Sequence, residues 1–193
     1  PRWAQPYAFP PPDIALLADW NEKLARIAGA ALDRDIRVLT GTPSWVLILM
    51  ERMRALRDAR GETARATLPD LRLFIHGGVS FAPYRARFEA MFAGQDIDMR
   101  EVYPASEGFI AAADRGPGEG LKLSLDNGLF FEFVPVDELG AARPTRHWAA
   151  TIEPDVNYAV VMTTCAGLFA YVIGDTVRFV DTKVPRLLVT GRT

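Results

Sequence analysis

The sequence contains few of the residues from which covalent cross-links and metal centres are built. Its 193 residues include one cysteine and two histidines. The single cysteine, Cys165, excludes a disulfide within the chain and a zinc site made of cysteines, and we expect it to be a small buried apolar residue. His76 and His147 need carboxylate partners before they can hold a metal ion. The sequence therefore excludes a disulfide scaffold and a cysteine-based zinc fold.

Long apolar segments and strong charge are absent too. No run of about 18 or more apolar residues occurs, which excludes a membrane-spanning helix, and Pro1–Pro6 lacks the pattern of a signal peptide. The formal net charge is −2 and Lys and Arg form no dense run, so we expect no nucleic-acid or membrane partner. These absences favour a cytoplasmic protein. A small anion such as a nucleotide phosphate stays compatible, because backbone amides can bind it.

Helices and strands alternate in the first part of the chain. Periodic apolar residues predict the helices Leu17–Ala31, Ser44–Arg57 and Pro83–Phe92. Short apolar runs predict the strands Ile36–Leu39, Leu71–Ile75 and Met99–Tyr103. This alternation is typical of an α/β fold with a mainly parallel sheet.

The second part of the chain changes to short strands with tight turns. Leu121–Leu125 alternates apolar and polar residues, and the turn signal Asp126–Gly128 separates it from the strand Phe130–Val134. Further predicted strands are Tyr158–Thr163, Phe169–Ile173, Thr176–Val180 and Leu187–Val189. We expect an antiparallel meander or a distorted barrel here.

The helix Ser44–Arg57 carries apolar residues on nearly every side of its first turns. The run Trp45–Met50 is continuously apolar, which predicts a helix buried on several sides. Two interpretations stay open. The helix is either a central core element, which apolar helices usually are, or it lines a substrate pocket with Trp45.

Four short motifs stand at the ends of predicted strands. They are His76–Ser80, Tyr103–Glu107, Tyr171–Asp175 and Thr190–Arg192. In α/β sheets, ligands bind at the carboxyl ends of the strands. Each motif also has a plain structural interpretation as a tight turn, a core tyrosine or a solvated arginine. A single short motif leaves both interpretations open.

The residue types in these motifs suit a nucleotide. Gly77–Gly78 lets the backbone approach a flat ring or a phosphate. Tyr103 offers a ring for stacking, and Ser106 can donate a hydrogen bond to a phosphate oxygen. Glu107 is an oxygen ligand of the kind that Mg²⁺ prefers. Asp175, in a predicted Gly-Asp turn, can accept hydrogen bonds from the diol of a ribose.

Two of these segments resemble nucleotide motifs of a known enzyme family. Residues 161–177, VMTTCAGLFAYVIGDTV, and residues 101–108, EVYPASEG, resemble the third and second motifs of the auxin-responsive (Gretchen Hagen) acyl-acid amido synthetases, within the luciferase-like adenylate-forming superfamily. The resemblance covers most of the chain. It implies the central part of the adenylate-forming N-terminal domain, with a partial nucleotide-binding subdomain at residues 1–120 and a mainly β subdomain at residues 121–193 that leads to a hinge.

The resemblance also implies a role for each motif residue. The implied ATP-binding residues are Gly77, Gly78, Val79, Tyr103, Ser106, Asp175 and Arg192, and the implied Mg²⁺ ligand is Glu107. The first three would line the adenine edge and the tyrosine would pack on the adenine ring. The serine would contact the α-phosphate, the aspartate would hold the ribose hydroxyls, and the arginine would lie near the ribose at the hinge.

The activity implied by the resemblance is ligation driven by ATP. Members of this family join a carboxylic acid to AMP, release pyrophosphate, and pass the acyl group to an amine, usually that of an amino acid. A general base is unnecessary because the attacking carboxylate is already ionised, so positioning and Mg²⁺ are the main requirements.

The sequence departs from the family pattern in three respects. Ala170 and Val172 stand where plant members carry arginine. The phosphate loop of the first motif and the C-terminal lid with its catalytic lysine are absent from these residues. We therefore expect both ends to be cuts in a longer protein, and no catalytic residue in this fragment. Two alternatives stay open, namely a non-catalytic nucleotide-binding module on a degenerate adenylation fold and a structural α/β domain without a ligand.

Overall fold

Four α-helices and nine strands form the part of the chain that the computed structural model describes, residues 7–64 and 66–193. Pro1–Pro6, on which the signal-peptide argument rests, and Arg65 lie outside the described residues. The chain divides into two compact units. The first holds the described residues up to Ile75 together with Phe81–Met99, and the second holds His76–Ser80 and Arg100–Thr193. The functional division expected at residue 120 stays a prediction.

Local sequence signals set the helix starts of the first unit. Its elements are α1 (Pro12–Ala15), α2 (Trp20–Ala31), β1 (Val38–Gly41), α3 (Pro43–Ala59), the start of β2 (Leu73–Gly77), α4 (Arg85–Met91) and the start of β3 (Asp98–Ala105). Asp19 caps α2, because its carboxylate accepts a 2.7 Å hydrogen bond from the N–H of Glu22. Pro43, which has no N–H, occupies the first turn of α3.

The strands of the first unit begin side by side. The N–H of Leu73 donates to the Arg37 carbonyl at 3.1 Å, and the N–H of Asp98 donates to the Arg72 carbonyl at 2.9 Å. Each of these residues stands at or just before the start of its strand, and a helix connects each strand to the next. The strands β1, β2 and β3 therefore run parallel, as the alternation of elements predicts.

The helix α3 is buried on one face only. Val46, Met50 and Met53 are at most 4% exposed, whereas Trp45 is 52% and Ile48 is 41% exposed. The expectation that this helix is buried on several sides is therefore wrong, because only the face that carries Val46 packs into the core of the unit. None of the helices in the two described ranges is long and apolar enough to cross a membrane.

The second unit is an antiparallel sheet that curls over its own core. Besides most of β3 it contains β4 (Gly108–Ala112), β5 (Leu121–Leu123), β6 (Leu129–Pro135), β7 (Asn157–Thr164), β8 (Tyr171–Asp181) and β9 (Arg186–Arg192). The strand order is β3-β4-β5-β9-β8-β7-β6, and β6 does not pair back to β3. Phe133, Tyr158 and Phe179 form the centre of the core, each at most 1% exposed. The expected antiparallel meander is confirmed, and the sheet is open rather than a closed barrel.

Two expectations for this unit need correction, and one strand was missed. Phe169–Ile173 and Thr176–Val180 were expected as two strands, but β8 runs unbroken from Tyr171 to Asp181 because Gly174 carries the strand through a bulge instead of a turn. The strand β4, with the sequence GFIAA, was not predicted, since small residues give a weak strand signal. Cys165 is exposed in the turn after β7, not buried.

Candidate functional site

A bulge in β8 determines the position of Asp175. Ala159 of β7 pairs with Thr176, and Val161 pairs with Val172, so three residues of β8 oppose the single residue between them on β7. Gly174 lies in this bulge with a φ of 88°, in the left-handed region that glycine adopts without strain. Bulges re-aim side chains. Asp175 therefore belongs to a strand rather than to the turn that its Gly-Asp pair suggested.

The hydroxyl of Tyr103 donates a hydrogen bond to Asp175 Oδ2 at 2.6 Å. The two residues lie on β3 and β8, between which the sheet order places β4, β5 and β9. The curl of the sheet therefore brings distant strands together at this point. Tyr103 is 8% exposed. Burial, the bond to Asp175 and the negative charge of Glu107 all raise the pKa of Tyr103, while Arg192 lowers it, and the net result is a pKa well above the ordinary value of a tyrosine.

Arg192 lies on the other side of Asp175. Its Nε is 3.5 Å from Asp175 Oδ1, and its side chain is 77% exposed. The two residues are paired in the β8–β9 ladder, so β9 extends through Arg192 and the Thr-Gly-Arg motif does not follow the strand but ends it. The guanidinium is therefore close enough to attract the carboxylate and exposed enough to reach a ligand.

A row of hydrogen-bonded polar side chains lies next to Asp175 and was not predicted from the sequence. The hydroxyl of Thr190 donates to Asn157 Oδ1 at 2.6 Å, and it lies 2.8 Å from the hydroxyl of Thr176. Thr176 is buried and directly follows Asp175. Single threonines and asparagines in strands give no sequence signal, since their partners are distant along the chain. These hydrogen bonds join the start of β7, the middle of β8 and the last residues of β9 beside the Asp175 carboxylate.

Ser106 and Glu107 form the two-residue turn between β3 and β4. Ala105 pairs with Gly108 across this turn, and the register shifts at Tyr103–Pro104, where Pro104 lacks an N–H for the ladder. Ser106 is exposed and Glu107 is half-buried. Within the described ranges no ion pair engages the Glu107 carboxylate, and no cluster of three or more His, Cys, Asp or Glu side chains suited to a metal occurs.

The Gly77–Gly78 pair has a structural reason of its own. A Cβ on Gly77 would lie 2.3 Å from the carbonyl oxygen of Val102, the residue before Tyr103. Gly78 adopts a φ of 82° as the chain leaves β2, and Val79 is 43% exposed. The structure thus brings Gly77 beside the strand that carries Tyr103. Contact of these residues with adenine stays a prediction.

Trp45 belongs to the first unit. Its ring lies 4.6 Å from the ring of Trp20, centre to centre. Both tryptophans line a cavity of about 820 Å³ whose wall is mainly apolar and includes Phe9, Leu24 and Met53. The arginine Arg34 contributes a cationic group to the same wall. Trp45 is therefore half-exposed at a cavity, which keeps open its predicted contact with a substrate.

Comparison with known proteins finds a family model that matches part of the second unit. Residues 122–192 match the model of the GH3 family central domain. A GH3.15 acyl acid amido synthetase has the same fold, with a TM-score of 0.72 and 15% identity over 95% of this chain and 42% of that one. The third nucleotide motif lies inside the matched residues, so the resemblance inferred from it is confirmed there.

Two further solved structures share the fold. One is 2-hydroxyisobutyryl-CoA ligase in an open conformation in complex with 2-HIB-AMP and CoA, with a TM-score of 0.65 and 16% identity over 91% of this chain and 40% of that one. The other is the nonribosomal peptide synthetase FmoA3 in its alpha-methyl-L-serine-AMP bound form, with a TM-score of 0.52 and 15% identity over 86% of this chain and 20% of that one. The chain spans less than half the length of each of these proteins. The chain therefore shares the fold of these ligases, and residues 122–192 match the GH3 family central domain.

Proposed function

We propose that this chain is the central part of an ATP-dependent enzyme that activates a carboxylic acid as acyl-AMP and transfers the acyl group to the amine of an amino acid. The observation that carries the proposal is the Asp175 carboxylate. It is fixed by Tyr103, lies next to Arg192, and stands inside the segment that matches the GH3 central domain. A carboxylate held in this way is a suitable acceptor for the two hydroxyls of a ribose.

The remaining nucleotide contacts are proposed from the positions of the motif residues. Tyr103 follows the strand residue beside Gly77, so adenine would lie along Gly77, Gly78 and Val79 and against the ring of the tyrosine, which is 8% exposed. Ser106 is exposed at the tip of the β3–β4 turn, where its hydroxyl can donate to the α-phosphate. Arg192 would lie near the ribose.

Glu107 fits the requirements of a Mg²⁺ ligand. Its carboxylate is half-buried, and no ion pair within the described ranges engages it. Mg²⁺ is usually held by one or two carboxylates together with phosphate oxygens and water, so a lone glutamate suffices. When bound with ATP, the ion would neutralise charge on the phosphates and lower the repulsion between two anions.

The proposed reaction requires positioning more than proton transfer. An oxygen of the substrate carboxylate attacks the α-phosphorus, the bond from that phosphorus to the bridging oxygen breaks, and pyrophosphate leaves with the electron pair. The amine then attacks the acyl carbon, the bond from that carbon to the phosphate oxygen breaks, AMP leaves, and the nitrogen loses a proton to water. Asp175, Ser106 and Arg192 would hold the nucleotide in line for the first step. The lysine of the lid and the phosphate loop would come from other parts of the complete protein.

We propose that Trp45 contributes to the binding of the acyl group. The support is its half-exposed ring at an apolar cavity of about 820 Å³. Ligand pockets are typically apolar, with a few polar groups that fix orientation. A GH3.15 acyl acid amido synthetase has been solved in complex with 2,4-DB, and this chain would take a carboxylic acid in the same manner.

A second candidate function is a non-catalytic nucleotide-binding module. It is favoured by Ala170 and Val172, which stand where plant members of the family carry arginine. Val172 is 42% exposed, and Ala170 adopts a φ of 48°, so neither position offers a cation to a phosphate or a carboxylate. The site would then bind ATP without joining it to an acid.

Pyrophosphate exchange by the complete protein distinguishes the two functions. With ATP, Mg²⁺ and a panel of carboxylic acids, the enzyme incorporates labelled pyrophosphate into ATP for at least one acid. Replacing Trp45 with alanine changes which acid is preferred. Asp175→Asn lowers exchange, while the control Asp155→Asn, at an exposed loop residue with a φ of 62° that asparagine tolerates, does not. ATP binding without exchange for any acid would favour the non-catalytic module.

A further inference from the structure

We propose that the hydroxyl of Tyr103 is a positioning group that fixes Asp175 and thereby makes the site select ribonucleotides over deoxyribonucleotides. This inference rests on the proposed function, because it concerns the nucleotide that the site binds. It goes beyond the contact of Tyr103 with adenine, which concerns the ring of the tyrosine and not its hydroxyl.

The geometry of the pair supports a fixed orientation. The O–H of Tyr103 and Oδ2 of Asp175 are 2.6 Å apart, a short distance typical of a hydrogen bond to a charged acceptor. Tyr103 is 8% exposed, so water cannot easily replace the bond. Burial is the main reason that the pKa of Tyr103 is raised, so the hydroxyl stays a donor at neutral pH.

The hydrogen bond from Tyr103 determines which carboxylate oxygens of Asp175 stay available to a ligand. One lone pair of Oδ2 is used by Tyr103. Arg192 Nε is 3.5 Å from Oδ1, which is too long for a good hydrogen bond, so Oδ1 is open to a ligand. A carboxylate with fixed rotation presents its free lone pairs in one direction, as two neighbouring hydroxyls of a ribose require. Without the tyrosine hydroxyl, the Asp175 side chain can rotate and loses this preference.

A purely structural role would have different consequences. The bond joins β3 to β8, so its loss could weaken the curl of the sheet and affect every nucleotide equally. A positioning role affects only those nucleotides whose hydroxyls reach Asp175. The comparison of ATP with its deoxy analogues therefore separates the two roles.

The test uses Tyr103→Phe in the complete protein, because phenylalanine keeps the ring for stacking and removes only the donor. Pyrophosphate exchange gives KM for ATP, 2′-deoxy-ATP and 3′-deoxy-ATP, and calorimetry gives the binding constants. We expect KM for ATP to rise about tenfold, the size of one hydrogen bond to a charged group. We expect the KM values for the deoxy analogues to change little. The preference for ATP that the wild type shows therefore largely disappears in the variant.

Tyr158→Phe is the matched control. Tyr158 is fully buried in the same unit, and its hydroxyl accepts a 3.0 Å hydrogen bond from the N–H of Glu153. We expect this control to lose a buried hydroxyl yet to keep the wild-type ratio between the KM values for ATP and its deoxy analogues. If Tyr103→Phe kept the wild-type ratio between the KM values for ATP and its deoxy analogues, the inference would be wrong. The proposed function would still stand in that case. Failure of the wild type to bind any of the nucleotides would overturn the proposed function as well.

Discussion

At the scale of single residues, backbone conformation determines where the charged groups of the site lie. Gly174 has a φ of 88° in the interior of β8. A residue with a Cβ adopts this region only with strain, so glycine permits the bulge that presents Asp175. Arg192 lies beside the same residue, since a Cβ on Gly174 would be 3.1 Å from its guanidinium. The glycine thus serves both the bulge and the approach of the arginine.

Glu107→Gln tests the proposed metal ligand. Glutamine keeps the shape of the side chain and removes the charge that Mg²⁺ requires. We expect the exchange rate at saturating ATP to fall about ten- to a hundredfold, the size of one charge-assisted contact. The control is Glu89→Gln, at a surface residue of α4 that is 56% exposed. Equal rates for the wild type and Glu107→Gln across a Mg²⁺ titration would remove the metal role.

At the scale of elements, the close approach of two strands explains why a glycine occupies position 77, where a ligand contact is also predicted. Gly77 of β2 leaves no room for a side chain, because Val102 of β3 passes within 2.3 Å of the place of its Cβ. The glycine is therefore required by strand packing whether or not adenine lies beside it. A functional interpretation of Gly77 has to come from binding data, since stability alone accounts for the residue.

Gly77→Ala measures the cost of this close approach. The added methyl group meets a backbone carbonyl, which cannot rotate away, so we expect a loss of about 1–3 kcal/mol of stability. Gly29→Ala is the opposite case, because Gly29 lies in α2 with nothing within 4 Å of an added Cβ. It should stabilise the helix by about 0.5–1 kcal/mol. Chemical denaturation of the two variants, in the complete protein, would contradict this account if both behaved alike.

Arg186 joins three segments of the second unit. Its guanidinium donates to both carboxylate oxygens of Asp114, at 3.0 and 2.7 Å, and to Asp181 at 3.0 Å. Its side chain is 5% exposed. The hydrogen bonds from Arg186 hold the pKa of Asp114 below its ordinary value of 3.8, and the N–H of Val184, with further help from Arg186, does the same for Asp181.

Arg186→Met should lower the melting temperature at pH 7 and have a smaller effect in acid. Because both aspartates have lowered pKa values in the folded state, their stabilisation is present above about pH 4 and is lost as the pH falls through those values. Thermal unfolding at pH 7 and at pH 3 measures the difference. Arg178→Met, at an exposed residue of β8, is the control. If the difference in melting temperature between the variant and the wild type were larger at pH 3 than at pH 7, the ion pairs would not be the cause of the destabilisation.

At the scale of the whole molecule, we propose that the chain carries only part of an adenylation site. The proposed adenine edge, ribose acceptor and metal carboxylate lie in its second unit, while the phosphate loop and the lid lysine are expected elsewhere in the complete protein. The chain spans 42% of a GH3.15 acyl acid amido synthetase that shares its fold. Activity is therefore expected only from the complete protein.

The isolated chain should bind ATP weakly. Charge-assisted phosphate contacts are worth roughly 1.5–3 kcal/mol each, so the loss of two would weaken binding by about two orders of magnitude or more. The stacked ring and the ribose contacts that remain must still offset the entropy of association. Calorimetry with ATP and Mg²⁺ is the measurement, with circular dichroism as a check that the chain is folded. Micromolar binding would show that the phosphate contacts lie within these residues.

The sequence by itself determined the type and the order of most elements. Apolar periodicity predicted α2, α3 and α4, and turn residues separated the short strands of the second unit, because these signals are local and repeat along the chain. The resemblance of residues 161–177 to a family motif was recognisable for the same reason, since a motif is a run of neighbouring residues.

The tertiary structure decided what depends on distant contacts. The hydrogen bond between Tyr103 and Asp175 joins residues 72 positions apart, so no local pattern encodes it. Whether Gly174 forms a turn or a bulge depends on how β7 and β9 pair with it, and whether Trp45 is buried depends on what packs against α3. Local sequence sets the conformational preferences of each segment, but burial and hydrogen bonding are settled by the partners that the fold supplies.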